Sequence, residues 1–383
     1  MTYPEESYDG RGIVMGAGGH RLLANAYVTL CRIRRLSQLP IELFYCGAEE
    51  LPTAARLKLE AEFSSLRCRE MSQNLRGFQM KPFAILRSRF QEALWIDADN
   101  LPLGALDGLF DGEGYQRTGA QFWPDRREAR WTQAELWRAC GLEPLEGPEF
   151  ESGQLLLDKR RCWRALLTTC QLNSDEHRPY VYGLTNGDKD TFRLAFLMTS
   201  TDFALVPHSP TCFGAPYLRA TIGTSNIQIG HPLGRFRLGG LLQRDTEGRP
   251  LFAHRTVLEW NPYHDLKTMT HLEDGSRIES WIAELELQGH RDLERYRRDY
   301  LDFFPVEWWP RCQRTLLALL LPILDLIMSF RGRKSQAAPA SSPASFPADS
   351  GCWASPDGHS LSAACGSADG SAQARGVSGE GPR

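Results

Sequence analysis

The chain has 383 residues, 42% of them hydrophobic and 24% charged, a globular composition with ample length for a large buried core. Lys plus Arg number 44 against 47 Asp plus Glu, a net charge of −3, so no basic excess marks a nucleic-acid surface. Ten cysteines without a C-x-x-C pair argue against a disulfide scaffold and against a structural zinc site.

Met1 to Gly10 is polar and lacks the apolar core of a secretory signal. Gly12–Met15 is a short apolar run, followed by the turn Gly16-Ala17-Gly18-Gly19. Leu22, Leu23, Ala26, Leu30 and Ile33 then recur at helical spacing. Pro40–Cys46 reads as a second strand and Leu51–Phe63 as a helix. Lys81–Phe90 reads as a third helix, and Ala93–Ile96 is an apolar strand that runs out in Asp97-Ala98-Asp99. Ala120–Trp123, Gln154–Leu157 and Ala204–Val206 are further strands, with helical patterns at Thr132–Ala139, Lys159–Cys170 and Thr191–Thr199. Strands alternating with helices imply an α/β fold, with a mainly parallel sheet and helices on both faces. Ligands of such sheets sit at the carboxyl ends of the strands. The residues after Met15, Ile96, Trp123 and Val206 are therefore the place to look.

Leu316–Phe330 is the most apolar stretch, but at 15 residues with Pro322 and Asp325 inside it it falls short of the roughly 18–20 that a spanning helix needs. A buried or membrane-surface helix is expected there, and the basic residues that follow extend a peripheral membrane contact over about 316–334. In 331–383, Gly, Ala, Ser and Pro supply 35 of the 53 residues, too little apolar surface to offset ordering, so a disordered tail is expected.

Asp97 and Asp99 stand at i and i+2 where an apolar strand ends, so both carboxylates project to one side. Such a pair makes a hard oxygen site for Mg²⁺ or Mn²⁺, whose remaining ligands a diphosphate can supply. On its own the pair also fits a solvated turn. A haloacid-dehalogenase-type phosphatase has Asp-x-Asp near its start followed by Thr or Val, whereas Leu101 stands at the comparable place here. A dinucleotide fingerprint would need Gly where Arg21 follows the glycine-rich turn.

The order of motifs is more informative. Phe78–Leu86, Trp95-Ile96-Asp97-Ala98-Asp99-Asn100-Leu101-Pro102-Leu103, Gly119–Asp125, Glu151–Lys159 and Gly187–Phe192 follow one another, with Gly12-Ile13-Val14 before them and Phe252-Ala253-His254…Asn261-Pro262 after. This series, from about Arg11 to about Leu266, resembles the fungal Golgi alpha-mannosyltransferases of glycosyltransferase family 71, which branch mannan. The resemblance implies the GT-A fold over about 8–330, with a nucleotide-sugar half over about 8–130 and an acceptor half over about 131–330. It implies a retaining transferase that uses Mn²⁺ or Mg²⁺ and a nucleotide sugar, GDP-mannose in the family, and moves mannose to an oligosaccharide or glycoprotein acceptor. On that footing Asp97 and Asp99 hold the metal and the donor, Lys81 adds charge near the phosphates, and Gly16, Gly18 and Gly19 let the backbone approach the nucleotide. The third metal ligand would be a late histidine: His254, delivered by Leu251-Phe252-Ala253, or His231 as the alternative. Asp188 would stand beside the sugar's reactive carbon, and Glu151 and Ser152 would bind sugar hydroxyls while Gly153 gives clearance. Asp190, just before Thr191, suits a helix N-cap. Trp123 and Asp125 would contact donor or acceptor, or Trp123 would pack in the core. Family members are Golgi type II membrane proteins. The resemblance thus implies the Golgi membrane or lumen, while the lack of an anchor in this sequence leaves an incomplete gene model, a partner-held enzyme or a cytoplasmic setting open. A non-catalytic nucleotide-sugar- or glycan-binding protein of the same fold is the rival reading.

Overall fold

The computed structural model of the chain describes residues 2–304, apart from 72–74, 76, 127–130, 223–224, 231–234, 258 and 264–268. The expected apolar segment at 316–330, the tail at 331–383 and the alternative ligand His231 lie outside the described residues.

The first half alternates strand and helix as expected: β1 (Arg11–Gly16), α1 (Gly19–Leu36), β2 (Ile41–Tyr45), α2 (Thr53–Glu62), β3 (Leu66–Glu70), α3 (Met80–Arg87), β4 (Glu92–Ile96). Next come β5 (Asn100–Pro102), α4 (Glu113–Thr118), β6 (Ala120–Pro124), α5 (Ala134–Ala139) and β7 (Phe150–Asp158). The chain continues through α6 (Trp163–Leu172), α7 (Arg178–Leu184), α8 (Thr191–Met198) and β8 (Ala204–Leu205). It finishes with β9 (Thr211–Ile222), β10 (Ser225–Gly230), β11 (Arg235–Arg244), β12 (Pro250–His254), β13 (His271–Leu272) and α9 (Ser280–Tyr300).

Among the described residues, seven strands form one sheet in the order β3-β2-β1-β4-β7-β6-β8. It is mainly parallel, as expected; β7 alone runs against its neighbours β4 and β6. Its central strands are buried on both faces, which is why they read as near-continuous apolar runs. In β1, Ile13 and Met15 face the core under α1 and α2, while Val14 faces the core under α3, α6 and α8. The alternation along one strand thus feeds two separate apolar layers.

A second sheet, in the order β10-β9-β11-β12-β5 with β13 beside β9, is antiparallel. It was not expected, and it is what completes the site. Leaving β4, the chain turns once at Asp97–Asp99 and enters β5, a member of the second sheet. The aspartates therefore occupy the junction of the two sheets. Side chains tie the sheets together nearby: the Trp123 indole donates to the Arg244 carbonyl at 2.8 Å, and Gln243 donates to the Pro124 carbonyl at 3.1 Å. Trp123 is fully buried and packs edge-on against Phe252, in keeping with the core-packing alternative. No helix among the described residues is long and apolar enough to cross a membrane.

Candidate active site

The turn Asp97-Ala98-Asp99 is held by main chain on every side. The Asp97 amide donates to the Gly153 carbonyl of β7 at 2.8 Å, and the Asn100 amide donates back to Asp97 at 3.0 Å. Thr29 of α1 donates its hydroxyl to the Ala98 carbonyl at 2.7 Å. Asn100, wholly buried, donates from its side chain to the Gly153 carbonyl and to Gln154. A turn so pinned presents its two carboxylates with little freedom, which a metal site requires.

His254 arrives from the other sheet. β12 pairs antiparallel with β5, and the register sets His254 opposite Asn100. The residue next to Asp99 thus faces the histidine across a single ladder rung. The His254 Nε2 lies 3.3 Å from Asp99 Oδ1 and 3.7 Å from Asp97 Oδ2. One ligand atom from each of Asp97, Asp99 and His254 falls within 4.8 Å of the others. Two oxygens and an imidazole nitrogen suit a divalent ion such as Mn²⁺, and the spread matches ligands that converge on one ion.

Glu151 explains the orientation of that histidine. Its Oε1 lies 3.1 Å from His254 Nδ1, and its Oε2 accepts the Gly153 amide at 3.0 Å. A carboxylate that takes the Nδ1 proton leaves Nε2 for a metal. Both oxygens of Glu151 are engaged, one with His254 and one with the Gly153 amide, and the residue is buried. The clearance at Gly153 likewise serves the histidine: a Cβ there would lie 2.3 Å from His254 Nδ1. Gly153→Ala is expected to push the imidazole off its position and weaken Mn²⁺ binding at least about tenfold, as loss of an outer-shell support does. Titration of the purified variant with Mn²⁺ checks this, and an unchanged isotherm would count against the assignment.

Lys81, on α3, is buried between carboxylates. Its Nζ stands 3.2 Å from both Asp97 Oδ2 and Asp188 Oδ2, and it donates to the Ser152 carbonyl at 2.7 Å and hydroxyl at 2.9 Å. Its charge is thus spent inside the protein. Asp188, 2% exposed, is enclosed beside this ammonium. Asp125 is equally enclosed and pairs with Lys189 at 2.5 Å. Asp190 precedes α8 as expected of a cap, yet its side chain makes no capping bond; its carboxylate accepts Thr132 Oγ1 and the Phe150 amide, anchoring the start of β7.

The space at Gly16 is taken by Met80 and Trp95, and that at Gly18 by Glu50, whose Oε2 a Cβ would meet at 2.1 Å. Gly19 differs: its φ is +68° with open space at the Cβ position, a left-handed conformation that favours glycine.

The charges are mutually adjusted. Burial pushes the Asp97 carboxyl up to about 6, against the pull of Lys81 and His254. Burial opposes ionisation of Glu151 too, but His254 and two lysines hold its carboxyl down at about 2. Desolvation works against a charged His254, yet Glu151 and Asp99 hold its pKa well above the usual imidazole value. Without an ion, the imidazole is therefore charged among carboxylates; a metal at Nε2 would displace a proton. For Asp97 the sign is that of a raised pKa: its stabilising share is full below 3.8 and is lost as pH rises through about 6. Urea melts of metal-free Asp97→Asn should therefore gain on wild type across that window.

Comparison with known proteins identifies the family of the chain. The Mannosyl_trans3 family of mannosyltransferases matches residues 10–140 and 142–232. Alpha-1,2-mannosyltransferase MNN2 of Saccharomyces cerevisiae is 31% identical over 136 residues, 33% of this chain and 22% of that protein. Alpha-1,2-mannosyltransferase MNN21 of Candida albicans is 31% identical over 260 residues, 50% of this chain and 39% of that protein. The chain thus spans less than half the length of these curated relatives. Among solved structures, the galactosyltransferase LgtC aligns with a TM-score of 0.34 at 14% identity, over 49% of this chain and 70% of that one. GlyE of Streptococcus pneumoniae aligns with a TM-score of 0.35 at 13% identity, over 52% and 46%. The resemblance first seen in the ordered motifs is borne out by sequence, and the chain belongs to the Mannosyl_trans3 mannosyltransferase family.

Proposed function

We propose that the chain is a metal-dependent, retaining alpha-mannosyltransferase that moves mannose from GDP-mannose to a glycan acceptor. The observation that carries the reading is the convergence of Asp97, Asp99 and His254 at the carboxyl edge of β4, in a chain of a mannosyltransferase family. These three side chains would hold the ion, Mn²⁺ or Mg²⁺. When bound, it would neutralise charge growing on the departing diphosphate, a Lewis-acid contribution.

The chain's own groups set up that event. Glu151 holds the His254 ring so that Nε2 faces the aspartates. Lys81 offsets the charge of Asp97 and Asp188, keeping a closely packed carboxylate group ionised. Asp188 and Glu151 then act through Lys81 and His254, as positioning residues. Gly19, with open space beside it, is the glycine left to admit a nucleotide. The acceptor, an oligosaccharide or a glycoprotein glycan, and a Golgi setting belong to the same proposal and derive from the family resemblance.

The test is direct. Purified chain is given GDP-mannose and a mannose oligosaccharide, with UDP-sugars as controls. Transfer is expected with Mn²⁺, is lost on chelation with EDTA, and returns when Mn²⁺ is restored. GDP-mannose that raises the melting temperature but is neither transferred nor hydrolysed would leave a binding protein in place of an enzyme.

A further inference from the structure

The residue after His254 points to a device that depends on the metal-site reading above. The Arg255 amide donates to the Asp99 carbonyl at 2.9 Å, one step beyond the rung where His254 faces Asn100. A single peptide unit therefore carries the histidine and grips the second aspartate. Successive side chains of a strand leave on opposite faces, so the Arg255 guanidinium departs away from the site. It is wholly buried. Its Nη1 lies 2.5 Å from Glu286 Oε2 of α9, and it stacks 3.8 Å from the Trp260 ring centroid.

The far side of this contact is fixed in turn. The Trp260 amide donates to Asn25 Oδ1 at 2.6 Å, and its carbonyl accepts from Asn25 Nδ2 at 2.9 Å, so α1 holds both main-chain groups. The indole fills the space at Gly289 of α9, where a Cβ would stand 2.5 Å away. The same helix α1 holds the Ala98 carbonyl through Thr29. Helices α1 and α9 pack together and so grip the aspartate turn and the histidine strand from behind.

A buried ion pair is a poor source of net stability, since apolar replacement is often neutral or favourable. What it supplies is direction: a planar guanidinium with fixed donors locks one approach angle where apolar side chains would slide. We propose that the Arg255–Glu286 pair, stacked on Trp260, is a positioning device that sets His254 and Asp99 in register for one ion. Neither residue touches the ion or the sugar.

The double variant Arg255→Met/Glu286→Leu fills the space without charge. Mn²⁺ alone is the probe, followed in the full chain by the electron paramagnetic signal of the free ion. The variant is expected to melt near wild type while its Mn²⁺ dissociation constant rises about 10- to 100-fold, the usual effect of losing an outer-shell support. A second readout needs no metal: the ¹⁵N shifts of the His254 ring nitrogens, which report the Glu151 contact, should change. Unchanged affinity together with unchanged ring shifts overturns the proposal, as does a variant that merely melts lower. Should wild type itself fail to bind Mn²⁺, the metal-site reading falls, and the ring shifts alone decide the positioning claim. If the double variant does not fold, Glu286→Gln, which keeps the shape and removes the charge, is judged by the same two measurements.

Discussion

Asp99→Ala is expected to lower the transfer rate by roughly 10³-fold or more, since ion-assisted stabilisation of the leaving group is worth several kcal/mol and each 1.36 kcal/mol is tenfold. The fold should survive. Asp99 is at a turn whose carbonyls and amides are held by Thr29, Gly153 and Arg255, and none of those bonds uses its carboxylate. Its loss leaves His254 still paired with Glu151 at 3.1 Å, so the histidine is not stranded as a lone buried charge. The stability cost should stay within about 1–3 kcal/mol, that of one charged hydrogen bond. Initial rates with GDP-mannose and a urea melt on the same preparation separate the two effects. Full activity in a variant that also no longer responds to Mn²⁺ would remove the aspartates from the chemistry; a collapse of the fold would make them structural.

The sequence made Asp97 and Asp99 visible because their chemistry is local: two carboxylates two residues apart, where an apolar strand stops. His254 was visible by a weaker sign, a short apolar run that delivers a polar residue. What brings the three together was not visible. It is the pairing of β12 with β5, and β5 is only three residues long, too short for any periodic pattern. The site therefore rests on a contact between segments about 150 residues apart that no local rule encodes. Strand β3, Leu66-Arg67-Cys68-Arg69-Glu70, escaped notice for a related reason: an edge strand needs few apolar residues. Only Gln154–Leu157 of β7 reads as strand, because its first half carries Glu151 and Ser152, buried site residues that break the apolar pattern. For Lys81, Glu151 and Asp188 the structure shows buried side-chain contacts that residue type and order did not announce. Residue type and order announce charge near the site; they do not say whether a charged group faces a ligand or another side chain.

Lys81→Met is expected to destabilise the protein by about 3–5 kcal/mol, the usual cost of removing one partner from a buried charge cluster. Burial alone would favour a neutral amine, yet Asp188, Asp97 and Glu151 outweigh it and raise the Lys81 pKa. Without the ammonium, Asp97 and Asp188 lose the cation they share, and the Ser152 carbonyl and hydroxyl lose their donor. Adding Asp188→Asn to Lys81→Met removes one of the stranded charges, so the double variant should be more stable than Lys81→Met itself. That reversal is the mark of charge compensation, because a packing defect would only deepen with a second change. Lys81→Arg should fail to rescue, since a fork of five donors does not fit a slot shaped for a compact ammonium. Denaturant melts of wild type and the three variants check the argument. Equal stability of wild type and Lys81→Met would show that this lysine is not the counter-charge of the site. Recovery in Lys81→Met/Asp188→Asn, with Mn²⁺ binding regained alongside stability, would place Asp188 in the support of Asp97 and leave the sugar to other groups.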